Sequence, residues 1–257
     1  MKKFLALVFA SALTLSLVAC GNKEVAESTE ETSVVESVEE EVVSTLPAEE
    51  ETAEEESAYM SYADYAATAV DEEVTVKVYV QATQSWWDNS ITVYAADADG
   101  AYFIYNMACT EEDAAKLVPG TEIIVTGVKG DWEGEVEIMD ATFEFGTDAT
   151  FTAEAKDATA ALGTDTITDY MNQLVSFTDM TVEAVSYKNN EPGDDIYVTL
   201  SKDGNNYEFC LEYYLNGSDE EFYNTVGNLE VGATVDVECY LYFYQGPDGH
   251  LTKVTVK

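Results

Sequence analysis

The chain has 257 residues, with 51 acidic side chains against 11 lysines and no arginine, for a formal charge of −40 at pH 7. That imbalance argues against nucleic acid and anionic lipid as partners, because both need cationic groups to displace their counterions. Once an export segment and a tether are set aside, the length leaves room for two small domains.

The chain begins MKKFLALVFASALTLSLVAC, with Lys2 and Lys3 ahead of an apolar core from Phe4 to Val18. The core is too short for a membrane-spanning helix and reads as a secretory signal, residues 1–19. Leu17-Val18-Ala19-Cys20 resembles a bacterial lipobox. The resemblance implies cleavage before Cys20, a diacylglyceryl anchor on its sulfur, and attachment at the extracytoplasmic face of a bacterial membrane. Each acyl methylene would contribute about 0.8 kcal/mol to that anchor. An ordinary signal with an incidental cysteine is the competing reading. The basic start, core length and box together favour lipidation.

Residues 20–57 continue as a tether. Asn22 to Ser57 holds 14 Glu and no aromatic residue, so too little apolar surface is available to offset the entropy of ordering, and disorder is expected. Extended by self-repulsion, the segment could reach roughly 120 Å at about 3.3 Å per residue. It reads as a solvated spacer, with a trap for cations as the sharper alternative.

The first domain is expected over residues 58–146. A short helix from Ser61 to Ala69 leads in. Val74, Val76, Val78 and Val80 alternate with polar residues, which predicts a half-buried strand from Val74 to Gln84. Ile91–Ala96 and Tyr102–Met107 form the next two strands about a Gly-containing turn. Thr110 and Asp113 predict a capped helix from Glu111 to Leu117, ended by Pro119-Gly120. Strands at Thr121–Lys129 and Glu135–Phe145 complete the unit.

Residues 147–163 connect to a second domain, residues 164–257, and Phe151–Lys156 in the connector reads as an extra strand. The same order returns: Leu174–Val185, the hairpin Asp195–Ser201 and Tyr207–Glu212, a helix capped by Ser218 and running to about Val226, then Thr234–Tyr244 and His250–Val256. Gly120 and Gly134 have the same separation as Gly232 and Gly246, and Trp132 falls where Tyr244 falls. Strand, strand, strand, helix, strand, strand resembles the OB-fold, and the shared glycine spacing supports duplication. The fold class is therefore mainly β: two tandem five-stranded OB-fold-like barrels, each with a short helix between strands 3 and 4. With the lipobox and tether, the chain resembles bacterial surface lipoproteins carrying tandem OB-fold-like domains. That resemblance implies fold and location and brings no activity with it.

No nucleophile motif, phosphate loop or paired Cys/His spacing is present, so no enzyme, cofactor or metal is expected. Asp97-Ala98-Asp99-Gly100 resembles the start of a calcium loop, but Ala108 stands where its bidentate Glu would fall, and a hairpin turn fits better. The single histidine, His250, reads as a turn or edge residue. Cys109, Cys210 and Cys239 read as free thiols, since Cys210 and Cys239 sit on strand faces that disfavour a bridge.

The aromatic residues carry the functional expectation. Trp86 and Trp87 lie between strands 1 and 2, and Trp132 between strands 4 and 5, the loops that flank an OB-fold binding face. Tyr94, Phe103 and Tyr105 share the outward phase of strands 2 and 3, with Asp88, Asn89 and Asp131 beside the tryptophans as hydrogen-bonding groups. Tyr187, Tyr242, Tyr244 and Gln245 are the second-domain counterparts. Flat rings with neighbouring polar groups suit an oligosaccharide or envelope glycan, and packing of the rings as barrel plugs is the competing structural reading. The alternative function is an acidic adaptor for an extracellular protein, whose contacts salt would weaken.

Overall fold

The valines of the first strand show how the first barrel closes. In the computed structural model, which describes residues 59–257, Val74, Val76, Val78 and Val80 on β1 (Glu73–Thr83) are fully buried. Each such side chain contributes roughly 1.5–3 kcal/mol of burial. β1 is long enough to serve two neighbours. It pairs antiparallel with β4 (Thr121–Trp132) along Glu73–Tyr79, then with β2 (Ser90–Ala96) along Tyr79–Thr83. A bulge between Val80 and Ala82 sharpens the twist at the changeover. β2 continues into β3 (Ala101–Ala108), and β3 meets β5 (Glu135–Thr150) in a short parallel pairing at Phe103 and Ile104. β5 returns along β4, giving a closed barrel in the order β1-β2-β3-β5-β4.

The second unit repeats this path. β7 (Leu174–Tyr187) pairs with β8 (Ile196–Lys202) and β10 (Thr234–Phe243). β9 (Asn205–Leu211) pairs with β8 and, in parallel, with β11 (Pro247–Val256) at Gly249 and His250. The β10–β7 pairing closes the ring. Each barrel has its own apolar core: Ile104, Ile123 and Ile138 among the valines in the first, Phe177, Phe209 and Leu200 in the second.

The paired glycines occupy equivalent turns. Gly120 and Gly232 have φ of +92° and +87°, a region that costs an L side chain strain. Each donates its N–H into the first strand of its own barrel, Gly120 to the Val80 carbonyl at 2.7 Å and Gly232 to the Val182 carbonyl at 2.8 Å.

Several boundaries differ from expectation. The opening helix α1 runs Tyr62–Ala67, with Ser61 as its cap. α2 spans only Glu111–Ala114, although Thr110 caps it by accepting from the Asp113 N–H as the spacing predicts. In the second unit, α3 (Tyr213–Asn216) precedes α4 (Glu220–Gly227), and Asp219 rather than Ser218 caps α4, accepting from the Phe222 N–H at 2.9 Å. The connector strand is not Phe151–Lys156. β5 runs on to Thr150, and β6 is the pair Lys156–Asp157, lying parallel to β7. Phe151–Ala153 are instead held by one amide: Gln81 Nε2 donates to the Phe151 carbonyl, and Gln81 Oε1 accepts from the Ala153 N–H. The signal-like segment, Cys20 and the Glu-rich tether lie outside the described residues.

Lys129 is a buried cation on β4 that supplements the backbone cap of α1 at Thr68. Its ammonium donates to the carbonyls of Tyr65, Ala66 and Thr68 at 2.8–3.0 Å, satisfying the C-terminal end of α1. Lys129→Met should leave the Ala66 and Thr68 carbonyls without that donor, while Tyr65 keeps the Thr68 N–H, and destabilise the fold by about 1–3 kcal/mol, read as a lower urea midpoint.

Candidate ligand-binding site

The outward face of the β2–β3 hairpin is covered by the second barrel. Tyr94 on β2 and Phe103 on β3 are buried against Tyr240 on β10 in a third apolar cluster. Tyr94 stacks on Tyr240 at 4.6 Å between ring centroids, and Phe103 meets Tyr242 edge-on at 5.2 Å. Tyr242 in turn stacks on His250 at 4.6 Å. The Tyr94 hydroxyl and His250 Nδ1 hydrogen-bond at 2.6 Å. His250 is therefore an interior residue of β11 in the seam between barrels, not the turn or edge residue expected.

Polar contacts extend the seam. Glu135 Oε2 accepts from the Phe243 N–H at 2.9 Å, and Asn172 Nδ2 donates to the Val136 carbonyl at 3.0 Å. The equivalent β4–β5 and β10–β11 hairpin tips meet: the Gln245 N–H donates to the Glu133 carbonyl, and Gln245 Nε2 to Glu133 Oε2.

At the rim of this seam the rings stay open. A cavity of about 510 Å³ is lined by Gln84, Phe103, Tyr105, Trp132, Glu137, Met139, Tyr242 and His250. Trp132, at the end of β4, is 58% exposed and Tyr105 is 46% exposed. A second hollow of about 340 Å³ shares Gln84 and adds Trp87, Asn106 and Tyr214. Trp87 and Tyr214 are 79% and 59% exposed, and the Ser85 N–H donates to the Tyr214 carbonyl across the seam. Both barrels thus contribute rings to each of two neighbouring hollows, and the larger one, with Trp132, is the groove considered below.

The remaining candidates fall elsewhere. Asp88 and Asn89, with φ of +47° and +63°, form a two-residue turn closed by paired hydrogen bonds between Trp87 and Ser90. That turn holds Trp87 outward. Trp86 turns the other way, packing on the first core and donating Nε1–H to the Cys109 carbonyl at 2.9 Å. Asp131 accepts from the Gly134 N–H and shapes the β4–β5 turn. Tyr187 packs on the second core, while Tyr244 is exposed beside Gln245 at the β10–β11 tip. Tyr94 is unavailable as a free ligand face because the second barrel covers it, and Phe103, buried beside it, only borders the groove. Gln84, Glu137, Met139 and Tyr214 join the groove without a signal in the sequence. Glu137 has the pattern of an ordinary solvent-facing position between Val136 and Ile138. Cys109, Cys210 and Cys239 are buried free thiols.

Another cavity, of about 490 Å³, lies between the β2–β3 turn, the connector and Leu174. Its Gln81 amide is already engaged by the connector, so the aromatic groove is the better candidate.

No protein-family model and no curated protein sequence matches the chain. Among solved structures, three similar chains have TM-scores below 0.4. One is the Ifi202 HINa domain in complex with 20-base-pair dsDNA, at 11% identity, covering 74% of this chain and 97% of that one, with a TM-score of 0.35. A second is a murine DNA-binding protein bound to dsDNA, at 9% identity, covering 71% and 96%, with a TM-score of 0.36. A third is a replication protein A heterotrimer bound to ssDNA, at 12% identity, covering 72% and 49%, with a TM-score of 0.31. The assignment of tandem OB-like barrels rests on the strand order and closure described above. One expectation is corrected: net charge does not exclude nucleic acid as a partner. The physical reason is that net charge sums the whole chain, 14 Glu of the tether included, and does not describe one binding face.

The seam also holds perturbed acids. Burial pushes the Glu135 carboxyl up to about 8, against the hydrogen bond from Phe243. Burial likewise raises Glu212 to about 7 and Asp248 to about 6. Burial lowers His250 to about 4, keeping it neutral. For the three acids the folded state holds the proton more tightly than the unfolded chain, so their contribution is present below the ordinary carboxyl range and is lost as pH rises through 6 to 8. For His250 the sign is opposite: its contribution is present above about 6.5 and lost as pH falls through 4. Unfolding midpoints should therefore decline towards pH 8, and Glu135→Gln should make that decline shallower.

Proposed function

We propose that the chain is a non-catalytic binding module, anchored to a membrane through Cys20, whose ligand is an oligosaccharide or envelope glycan seated in the inter-barrel groove. The observation that carries this reading is the joint lining: Trp132 and Tyr105 from the first barrel share the groove with Tyr242 from the second, and Trp87 shares the adjoining hollow with Tyr214. Rings of this kind stack on the apolar face of a sugar, and the few polar groups between them orient its hydroxyls. A non-catalytic role is supported by the same side chains. The single histidine has Nδ1 committed to Tyr94, and Glu135 Oε2 accepts from the Phe243 N–H.

The test is titration of the full chain with neutral bacterial and plant oligosaccharides and with single- and double-stranded oligonucleotides, at low and high salt. Oligonucleotides belong in the panel because the matched chains were solved with DNA. One glycan should bind with little dependence on salt, and Trp132→Ala should weaken it by at least about tenfold. Binding untouched by both Trp132→Ala and Trp87→Ala would overturn the reading, as would an oligonucleotide occupying the groove in the glycan's place. Steeply salt-dependent capture of a protein would favour the acidic adaptor. The anchor is tested separately: Cys20→Ser should move the chain from the membrane fraction to the soluble fraction.

A further inference from the structure

Glu137 is the buried acid that the fold leaves unused. Four acidic residues are buried among the described residues: Glu122, Glu135, Glu137 and Asp195. Glu122 accepts from the Tyr79 hydroxyl and from Thr147, and Asp195 accepts from Lys188 and the Tyr213 N–H. Glu135 accepts from the Phe243 N–H. Glu137 is 4% exposed and lines the groove, yet among the described residues no donor reaches its carboxyl. Burial, and then the charge of Asp131, push its pKa up, with no hydrogen bond working against them. Its carboxyl oxygens are not among the sealed, unpartnered atoms of the interior, so they open onto the groove and are free to meet a cation there. No internal cation among the described residues takes that place, since Lys129 is spent on the end of α1 and His250 is held neutral.

Aromatic side chains line the cavity with Glu137, beside Gln84, Met139 and His250. Trp132 and Tyr105 come from the first barrel and Tyr242 from the second. An aromatic face attracts a cation through its quadrupole, most strongly where water is excluded. We propose that the groove takes an organic ammonium group, seated against Trp132, Tyr105 and Tyr242 with its charge toward Glu137. This rests on the groove being the binding site. On a glycan ligand such a group would be the free amine of an amino sugar, and the protein's acidic surface would draw it in.

The probes are choline and its uncharged isostere 3,3-dimethylbutan-1-ol, with glucosamine and N-acetylglucosamine oligomers as the primary-amine pair. The chain's three tryptophans give three indole N–H signals in a 15N spectrum of the full protein. Choline or the glucosamine oligomer should shift the Trp132 signal and leave Trp86 unmoved, the responding arm naming the kind of ammonium. The uncharged counterpart should bind at least about tenfold more weakly. Glu137→Gln should reduce the cation to the affinity of that counterpart. Should Glu137→Gln not fold, Trp132→Leu, at an exposed position, should produce the same loss. Equal binding of charged and uncharged probes would overturn the proposal, and so would a cation preference that survives Glu137→Gln. Neutral glycan binding without any ammonium preference would overturn this inference alone. Silence of Trp132 toward every probe and every glycan would remove the groove as a site altogether.

Discussion

The stack of Tyr94 on Tyr240, closed by the hydrogen bond from Tyr94 to His250, is the contact on which the rest of the molecule depends. Each barrel has a complete core and could satisfy its own strands. What a lone first barrel would leave is a hairpin face carrying Tyr94 and Phe103 in water. Docking removes those rings from solvent, and the Tyr94 hydroxyl then needs a partner, since a buried hydroxyl left unpaired costs about 1–3 kcal/mol. Neutral His250 provides it. Because the two barrels are curved, the contact is tight along the stack and open at its rim. The groove containing Trp132 and Tyr105 is a geometric result of the docking and belongs to neither barrel alone.

Local features of the chain are legible where local physics decides. The four valines of β1 announce a strand and its inward face. Thr110 and Asp113 announce a helix start, and the matched glycines mark equivalent turns because only a residue at ease with positive φ suits them. Alternation also places Tyr94, Phe103 and Tyr105 correctly on one side of their strands. It is silent on what covers that side, which depends on residues about 150 positions away such as Tyr240 and His250. The same blindness applies to Glu135 and Glu137, which have the pattern of solvent-facing acids and lie instead against residues of the second barrel. Trp86 and Trp87 are neighbours with opposite fates. The two-residue turn at Asp88 and Asn89 sends one ring to the barrel end and the other outward, and sequence alone does not divide them.

Charge is the least informative global property of this chain and the most informative local one. The total of −40 describes the molecule's average surface and does not select its partners. Four buried acids say more, because each must find a donor, take a proton or await a ligand. Three find donors within the fold. The fourth lies between aromatic walls contributed by both barrels, which makes its position a statement about what can enter.

The single amide of Gln81 has a thermodynamic consequence beyond its hydrogen bonds. It pins Phe151 and Ala153 to the first barrel, while Lys156 and Asp157 already pair with β7 of the second. Only Glu154 and Ala155 remain as free span, roughly 7 Å of chain. A span so short gives the second barrel a very high effective concentration at its docking face. Association of the two units is then nearly intramolecular in cost, so a seam of a few rings suffices to hold them. A ligand entering the groove meets walls whose relative position was fixed before it arrived, and little of its binding energy is spent on bringing them together.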